Sequence, residues 1–303
     1  MRPSIRFAAA AAVMAGLAGL AGGWYGPGHR AASLLAVDIL PEEMPAFFRQ
    51  GGAAIAHSSV DSDLFTRPLA RAELHEAEAP EHYFDVELLE GVQPPPGRYQ
   101  FIELCARKGL RPEKVGLLPY AVTECTGRLA VAFAEHRKWP QDPIIRQKCL
   151  HYAGILAHYA QDLNQPLHLT VHYDGRVPRP GDPSPRSGIH ARVDDLLAKA
   201  AALPVPATST APATAPAKAL APFDELFGDV MDQVRRNRQL VEKVYELEKL
   251  LPGKDEPLLP GGPVADFALQ RLGASAEFTA RLFLTAWRDS GKINIPSWHN
   301  RQP

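Results

Sequence analysis

The chain has 303 residues, a length that excludes a disulfide-stabilised miniprotein. Of these residues, 46% are hydrophobic, which is enough for a sizeable core. Lysine and arginine number 33 against 34 aspartates and glutamates, so the formal net charge is −1. This balance excludes binding to duplex nucleic acid by bulk positive charge. Three cysteines, Cys105, Cys125 and Cys149, predict either one disulfide and one thiol or three buried thiols.

Residues 1–23 have the organisation of a secretory signal peptide. A start containing Arg2 and Arg6 precedes an apolar run that ends in small residues, with glycine at 22 and 23. The apolar run covers about 14 residues, short of the ~20 that span a bilayer, which favours cleavage over an uncleaved anchor. We therefore expect a secreted or periplasmic protein whose mature chain begins at Trp24 and carries no transmembrane segment.

If the mature chain begins at Trp24, its first residue could act as a metal ligand. A free α-amine and the carbonyl of the same residue can chelate a metal ion through a five-membered ring. His29 follows across a Gly-Pro-Gly turn that can fold back toward that residue. The alternative is an ordinary first residue followed by a surface histidine.

Apolar residues recur at helical spacing through most of the mature chain. The predicted helical stretches are 30–56 with an interruption at Pro41, 99–109, 118–137, 142–163, 189–203, 223–251 and 264–288. Residues 57–100 contain five prolines and are predicted to be irregular. Because no stretch shows sustained strand alternation, the predicted fold class is all-α.

The predicted domain organisation is one helical domain with an excursion. Residues 24–202 form the main helical, metal-binding part. Residues 203–222 are rich in proline, alanine and threonine and predict a disordered surface loop. Residues 223–303 supply the C-terminal helices that complete the same domain.

The stretch from His151 to His168 carries the strongest chemical signal. His158 and Asp162 are four residues apart, so a helix places both side chains on one face. His190 and Asp194 repeat that spacing. Imidazole and carboxylate ligands together suit zinc. One such pair is more often a surface contact, but two pairs with His168 between them indicate a metal centre.

Further candidate ligands lie upstream. His82 is followed by Tyr83 and Asp85 in a segment bounded by prolines. Asp61 and Asp63 are candidate carboxylate ligands, although both are also ordinary turn residues. On the residues alone, both aspartates stay candidates.

The whole series resembles the ligand series of the zinc-dependent phospholipase C / S-one/P-one nuclease superfamily. The matching positions, in chain order, are Trp24, His29, Asp63, His82, His158, Asp162, His168, His190 and Asp194. The resemblance implies an all-α domain that binds three zinc ions in a cleft and hydrolyses phosphodiester bonds.

The resemblance also implies which residues hold each zinc ion. Asp63, His82, His158 and Asp162 would hold the first ion. Trp24, His29 and Asp162 would hold the second ion, and His168, His190 and Asp194 the third. Asp162 would bridge two ions, and Asp162 and Asp63 would be the catalytic carboxylates. Two ions that share a carboxylate lower the pKa of a bridging water toward neutrality, which supplies hydroxide as the nucleophile.

The resemblance is to two branches of the superfamily, nucleases and phospholipases, which differ in substrate class. Tyr83 could stack on a nucleobase and Asp85 could accept from a base edge, as similar positions do in the nucleases; the alternative is a core tyrosine and a turn aspartate. Asp194 at the end of the last pair is similar to the nuclease branch, whereas the residues preceding His168 are similar to the phospholipases.

These features predict a monomeric nuclease that cleaves single-stranded nucleic acid and could also remove 3′-phosphates. The alternative activity is a phospholipase C that hydrolyses phosphatidylcholine-like lipids at the headgroup. A third interpretation, a non-catalytic helical binding protein, predicts no stoichiometric zinc.

Overall fold

A computed structural model describes residues 26–66, 71–203 and 220–300. The helices are α1 (Gly26–Asp38), α2 (Ala46–Gln50), α3 (Gly52–Ser58), α4 (Asp61–Phe65), α5 (Ala72–Glu78), α6 (Arg98–Arg107), α7 (Pro112–Val115), α8 (Leu118–Lys138), α9 (Pro143–Asp162), α10 (Ile189–Asp194), α11 (Leu196–Ala201), α12 (Leu226–Arg238), α13 (Val241–Leu247) and α14 (Pro263–Ser290). Short 3-10 helices cover Ala79–His82, Val86–Leu89, Pro166–Leu169 and Glu248–Leu250. No strand occurs in these three ranges, and the all-α prediction is confirmed.

Helix α9 begins and ends where its sequence signals predict. The side chain of Asp142 accepts hydrogen bonds from the backbone N–H groups of Ile144 (2.8 Å) and Ile145 (3.3 Å). Pro143 occupies the first helical position, where its missing N–H costs nothing. The helix ends at Asp162, before Pro166, so its last turn carries both His158 and Asp162.

The main apolar core lies where α8, α9 and α14 pack against one another. Phe48 of α2 inserts between Phe133 of α8 and Phe283 of α14, with ring centroids 5.0 and 5.3 Å away. Helix α3 crosses α9 closely at Gly154. A Cβ atom at Gly154 would lie 2.5 Å from the Cβ of Ser58 and 2.8 Å from the carbonyl oxygen of Ile55. Only glycine allows this approach, which sets α9 against α3.

A second apolar cluster lies beneath the segment from Pro166 to Ala201. It contains Leu167, Ile189, Val193 and Leu196 from that segment. These side chains pack with others from α1, α13 and the N-terminal half of α14. The two clusters thus support different parts of the predicted metal site.

Several sequence predictions differ in detail from the structure. Residues 57–100 are less irregular than expected, since α4, α5 and two 3-10 helices lie there. The stretch 189–203 is divided into α10 and α11. All three cysteines are free and buried, which agrees with the second of the two alternatives.

Some predictions fall on residues that the structure does not describe. The signal peptide and Trp24 lie outside the described residues, as does most of the loop predicted at 203–222. Across the described parts of the chain, none of the helices has the length and apolar content that crossing a bilayer requires.

Candidate metal centre

A cleft of about 320 Å³ opens over the C-terminal end of α9. Its wall includes seven of the nine predicted metal ligands: His29, Asp63, His82, Asp162, His168, His190 and Asp194. His158 lies fully buried directly beneath them. The ligands form three groups, within each of which the candidate ligand atoms all lie within 4.8 Å of one another.

The first group is His29, His158 and Asp162. Nε2 of His29 lies 3.5 Å from Oδ1 of Asp162, and Nε2 of His158 lies 3.2 Å from Oδ2 of the same carboxylate. The imidazole rings of His29 and His158 are stacked with their centroids 4.2 Å apart. His158 presents Nε2 to the cleft because its Nδ1 lies 2.8 Å from the carbonyl oxygen of Ser59, to which it donates.

The second group is Asp63, His82 and His158. It shares His158 with the first group, and Nδ1 of His82 lies 3.0 Å from both Nε2 of His158 and Oδ2 of Asp162. Asp61 is not part of this group: its Oδ2 lies 3.9 Å from Nδ1 of His151, away from the three ligands. The structure therefore brings Asp63, rather than Asp61, to the cleft.

The third group is His168, His190 and Asp194. Nε2 of His168 lies 3.5 Å from Oδ1 of Asp194, and Nε2 of His190 lies 3.2 Å from its Oδ2. The two imidazole rings are nearly parallel, with centroids 4.9 Å apart. Nδ1 of His168 donates to the carbonyl oxygen of His82 at 2.7 Å, so Nε2 of His168 is free for a ligand.

Burial and mutual attraction shift the pKa values of these groups. Burial, the largest single influence, lowers the pKa of His158 and His168, but the negative charge of Asp162, a second aspartate near each ring and hydrogen bonds together outweigh it and raise both to about 9. Burial alone raises the pKa of Asp162, yet His158 and His168 hold it well below its usual range. The pKa of His29 is lowered, chiefly by burial and by its neighbour His158.

The residues present fit metal ions on two observations. Oδ2 of Asp63 is a buried polar atom without a hydrogen-bond partner, and Asp63 belongs to the second ligand group. Buried polar atoms are normally satisfied, and an ion held by that group would satisfy this one. The donor set consists of imidazole nitrogens and carboxylate oxygens, which suits zinc among the common metals. The three groups could therefore hold metal ions.

Other residues that line the cleft were not singled out from the sequence. They include Thr66, His75, Gln161 and Gln165. Gln165 donates from Nε2 to Oδ1 of Asp194 at 2.8 Å, which orients that carboxylate. Its position three residues after Asp162 could have indicated this role, since both residues lie in the same ligand-bearing stretch. No lysine or arginine is among the described residues that line the cleft.

The structure places Tyr83 and Asp85 beside the cleft but not on its wall. Tyr83 has an extended backbone, and its hydroxyl donates to the carbonyl oxygen of Glu113 at 2.5 Å. Asp85 is largely buried, and burial together with Glu87 raises its pKa to about 8. Their role in binding substrate stays a prediction. Tyr173, which no sequence pattern marked, is 41% exposed and packs edge-on against His190 with a centroid distance of 5.8 Å.

Comparison with known proteins yields no relative. No protein-family model, curated protein or solved structure matches the chain. A function for this chain must therefore be inferred from the geometry of the cleft and from the ligand series in the sequence.

Proposed function

We propose that the chain is an exported, zinc-dependent phosphodiesterase that cleaves single-stranded nucleic acid. The observation that supports this most directly is the joining of three ligand groups in one cleft. His158 belongs to two groups, and Asp162 approaches histidines of all three. Ions held by ligand groups that lie this close together would act on one substrate group rather than on separate ones.

Divalent ions bound in such a cluster supply positive charge for phosphate oxygens and lower the pKa of a water that attacks phosphorus. The chain's own residues orient the ligands. Ser59 and His82 use backbone carbonyl groups to fix the ring nitrogens of His158 and His168. Asp162 balances the charge of the surrounding imidazoles from a site with 4% exposure.

The charge of the cleft supports a substrate that needs metal ions for binding. The described wall contains the carboxylates of Asp63, Asp162 and Asp194 and no cationic lysine or arginine. Histidines around Asp162, two of them with raised pKa values, balance part of that charge, and bound cations would supply the fixed positive charge that a phosphodiester needs. This arrangement fits hydrolysis of an anionic ester assisted by several metal ions.

One exposed aromatic ring favours a nucleic acid substrate. Tyr173 packs against His190 of the third ligand group while 41% of its surface stays exposed. An exposed ring beside the reacting phosphate could stack on an unpaired base, which is how proteins hold single strands with little sequence preference.

A different feature favours the alternative activity, a phospholipase C. Leu64 and Leu74 are 59% and 41% exposed, and Phe65 is also exposed. They neighbour Asp63, Thr66 and His75, which line the cleft. An apolar edge beside a phosphoesterase site would accommodate acyl chains.

The test is a parallel assay of mature protein beginning at Trp24 and loaded with zinc. Single-stranded DNA, RNA and phosphatidylcholine vesicles are incubated separately, and elemental analysis gives the zinc content. We expect three zinc ions per chain and cleavage of the nucleic acids. Cleavage of phosphatidylcholine alone would establish the phospholipase alternative. Absence of stoichiometric zinc would instead favour the interpretation as a non-catalytic binding protein.

The same material tests the proposed role of the chain end. Protein that retains one extra residue before Trp24 has no α-amine at that position. We expect it to bind two zinc ions instead of three and to lose most of its activity. Equal zinc in the two forms would remove Trp24 from the ligand set while leaving the other two ions in place.

A further inference from the structure

Four polar residues on the described wall of the cleft are not proposed metal ligands: Thr66, His75, Gln161 and Gln165. Three of them use their side chains to bind other parts of the protein, whereas His75 keeps one ring nitrogen free. We infer that His75 is a substrate-contacting residue that donates a hydrogen bond from Nε2 to a phosphate oxygen of the substrate. This inference rests on the proposed function, because it requires a phosphate held at the metal centre.

The side chains of Thr66 and Gln161 are already engaged. Oγ1 of Thr66 donates to the carbonyl oxygen of Asp63 at 2.9 Å. The carboxamide of Gln161 contacts Nδ1 of His29 at 2.7 Å, and it donates to Oγ of Ser33 at 2.9 Å. A substrate that used either residue would have to replace one of these hydrogen bonds.

The side chain of Gln165 is engaged at both ends as well. Its Nε2 donates to Oδ1 of Asp194 at 2.8 Å, and its Oε1 accepts from the backbone N–H of Leu167. Gln165 therefore orients a ligand and caps the 3-10 helix that carries His168. No polar atom of this carboxamide is left for a substrate.

His75 differs because only one of its ring nitrogens is used. It lies on α5 and is exposed. Nδ1 lies 2.8 Å from the carbonyl oxygen of Thr66, to which it donates. Thr66 directly follows α4, the helix that carries Asp63 of the second ligand group. This bond fixes the ring, and Nε2 has no hydrogen-bond or ion-pair partner in the part of the chain that the structure describes.

A phosphate oxygen is a suitable acceptor for Nε2 of His75. With a carbonyl oxygen at Nδ1 and an anion at Nε2, both ring nitrogens face acceptors, so the ring binds as the imidazolium and donates from both. Hydrogen bonds between ionised groups are stronger than neutral ones. Because the described wall holds no lysine or arginine, His75 is its one side chain outside the ligand groups that can bring positive charge to a substrate.

The first experiment measures binding of inorganic phosphate to the zinc-loaded protein by isothermal titration calorimetry. We expect His75→Ala to weaken phosphate binding about 10-fold or more, since a hydrogen bond to a charged group is lost. His75→Gln keeps an uncharged amide donor, so its affinity should lie between those of His75→Ala and the wild type. His57→Ala removes an exposed histidine on α3 that does not line the cleft, and it should bind phosphate as the wild type does.

The second experiment separates this contact from a structural role. Zinc content, thermal unfolding and kcat/KM on single-stranded DNA are measured for the same variants. No residue of α5 is buried, so His75→Ala should fold and keep the zinc content of the wild type. Its kcat/KM should fall by about the same factor as its phosphate affinity, and His75→Gln should restore part of both.

The outcomes distinguish this inference from the proposed function. Unchanged phosphate affinity in His75→Ala would overturn the inference. Loss of zinc from His75→Ala would also overturn it, because His75 would then be a metal ligand. A zinc-loaded wild type that binds phosphate more tightly than His75→Ala, but cleaves neither nucleic acid nor phosphatidylcholine, would uphold the contact and overturn the proposed function. A wild type that binds no zinc would overturn both.

Discussion

The two ends of the candidate metal centre are built in different ways. At one end, a single turn of α9 carries His158 and Asp162, and both side chains are buried. At the other end, His168 lies on a 3-10 helix, whereas His190 and Asp194 lie on the six-residue α10. Residues 170–188 join these two elements without a helix or strand.

The difference lies in what fixes the ligand spacing. In α9 the helical repeat fixes it, and the apolar core fixes the helix. In the third ligand group, the short helix α10 fixes only the spacing of His190 and Asp194, and individual hydrogen bonds hold the separate segment that carries His168. The backbone N–H of Phe84 donates to the carbonyl oxygen of His168 at 2.8 Å, and Thr170 donates to Glu87 at 2.6 Å. We therefore expect the α9 end to keep its shape without metal and the other end to depend on it.

The largest effect should come from Asp162→Asn. Asp162 lies within 3.7 Å of a histidine from each of the three ligand groups, and an amide cannot replace its charge. We expect two of three zinc ions to be lost and activity to fall by about a thousandfold or more, roughly 4 kcal/mol of transition-state stabilisation. Zinc analysis and steady-state kinetics measure both quantities. Asp61→Asn, outside the groups, serves as the control, and equal losses in the two variants would contradict the assignment.

Removal of the ions should destabilise the two ends unequally. Each ion present at a thousand times its dissociation constant contributes about 4 kcal/mol to the stability of the native state. After chelation we expect amide hydrogen exchange to accelerate most in α10 and residues 170–188, while α9 stays protected. Uniform acceleration along the chain would show that the proposed difference between the ends does not exist.

Asp194→Asn should affect one ion only. The third group would lose its carboxylate, whereas His158 and Asp162 would remain in place. We expect two zinc ions to be retained and activity to fall about a hundredfold, or ~2.7 kcal/mol. Asp195→Asn is a matched control, because the neighbouring Asp195 pairs with Lys199 at 3.0 Å instead. Loss of all three ions from Asp194→Asn would mean that the groups do not fill separately.

The smallest effect should come from Gly154→Ala, which tests the close packing of α9 against α3. The added methyl group would collide with Ser58 and the carbonyl oxygen of Ile55, at a cost of about 1–3 kcal/mol in unfolding free energy. Gly127→Ala on α8 meets no atom within 4 Å and should stabilise the chain by about 0.5–1 kcal/mol. Urea denaturation distinguishes them, and a neutral Gly154→Ala would show that the close approach is dispensable.

Long helices were predicted closely from the sequence. The stretches 118–137, 142–163 and 264–288 correspond to α8, α9 and α14 within two residues at each end. Their apolar periodicity is long enough to dominate, and Pro143 and Pro263 mark two of the starts. Short helices such as α4 and α5 were missed because tertiary packing, rather than local preference, stabilises helices of five to seven residues.

The sequence indicated most of the residues that the structure brings to the cleft, but not the direction in which each side chain points. The spacing of His158 and Asp162 places them on one helical face, and the structure does so. The ring of Tyr83 could not be placed from the sequence. Its φ of −146° and ψ of 168° are extended, and successive side chains of an extended chain point in opposite directions. His82 thus faces the cleft while the hydroxyl of Tyr83 reaches Glu113.

The cleft wall offers an incoming phosphate no permanent cation. Asp63, Asp162 and Asp194 lie on it, no lysine or arginine is among the described residues beside them, and positive charge there comes from histidines alone. Under the proposed function, uptake of divalent cations would add that charge together with the hydrolytic chemistry. Binding of substrate would then depend on the zinc concentration around the protein.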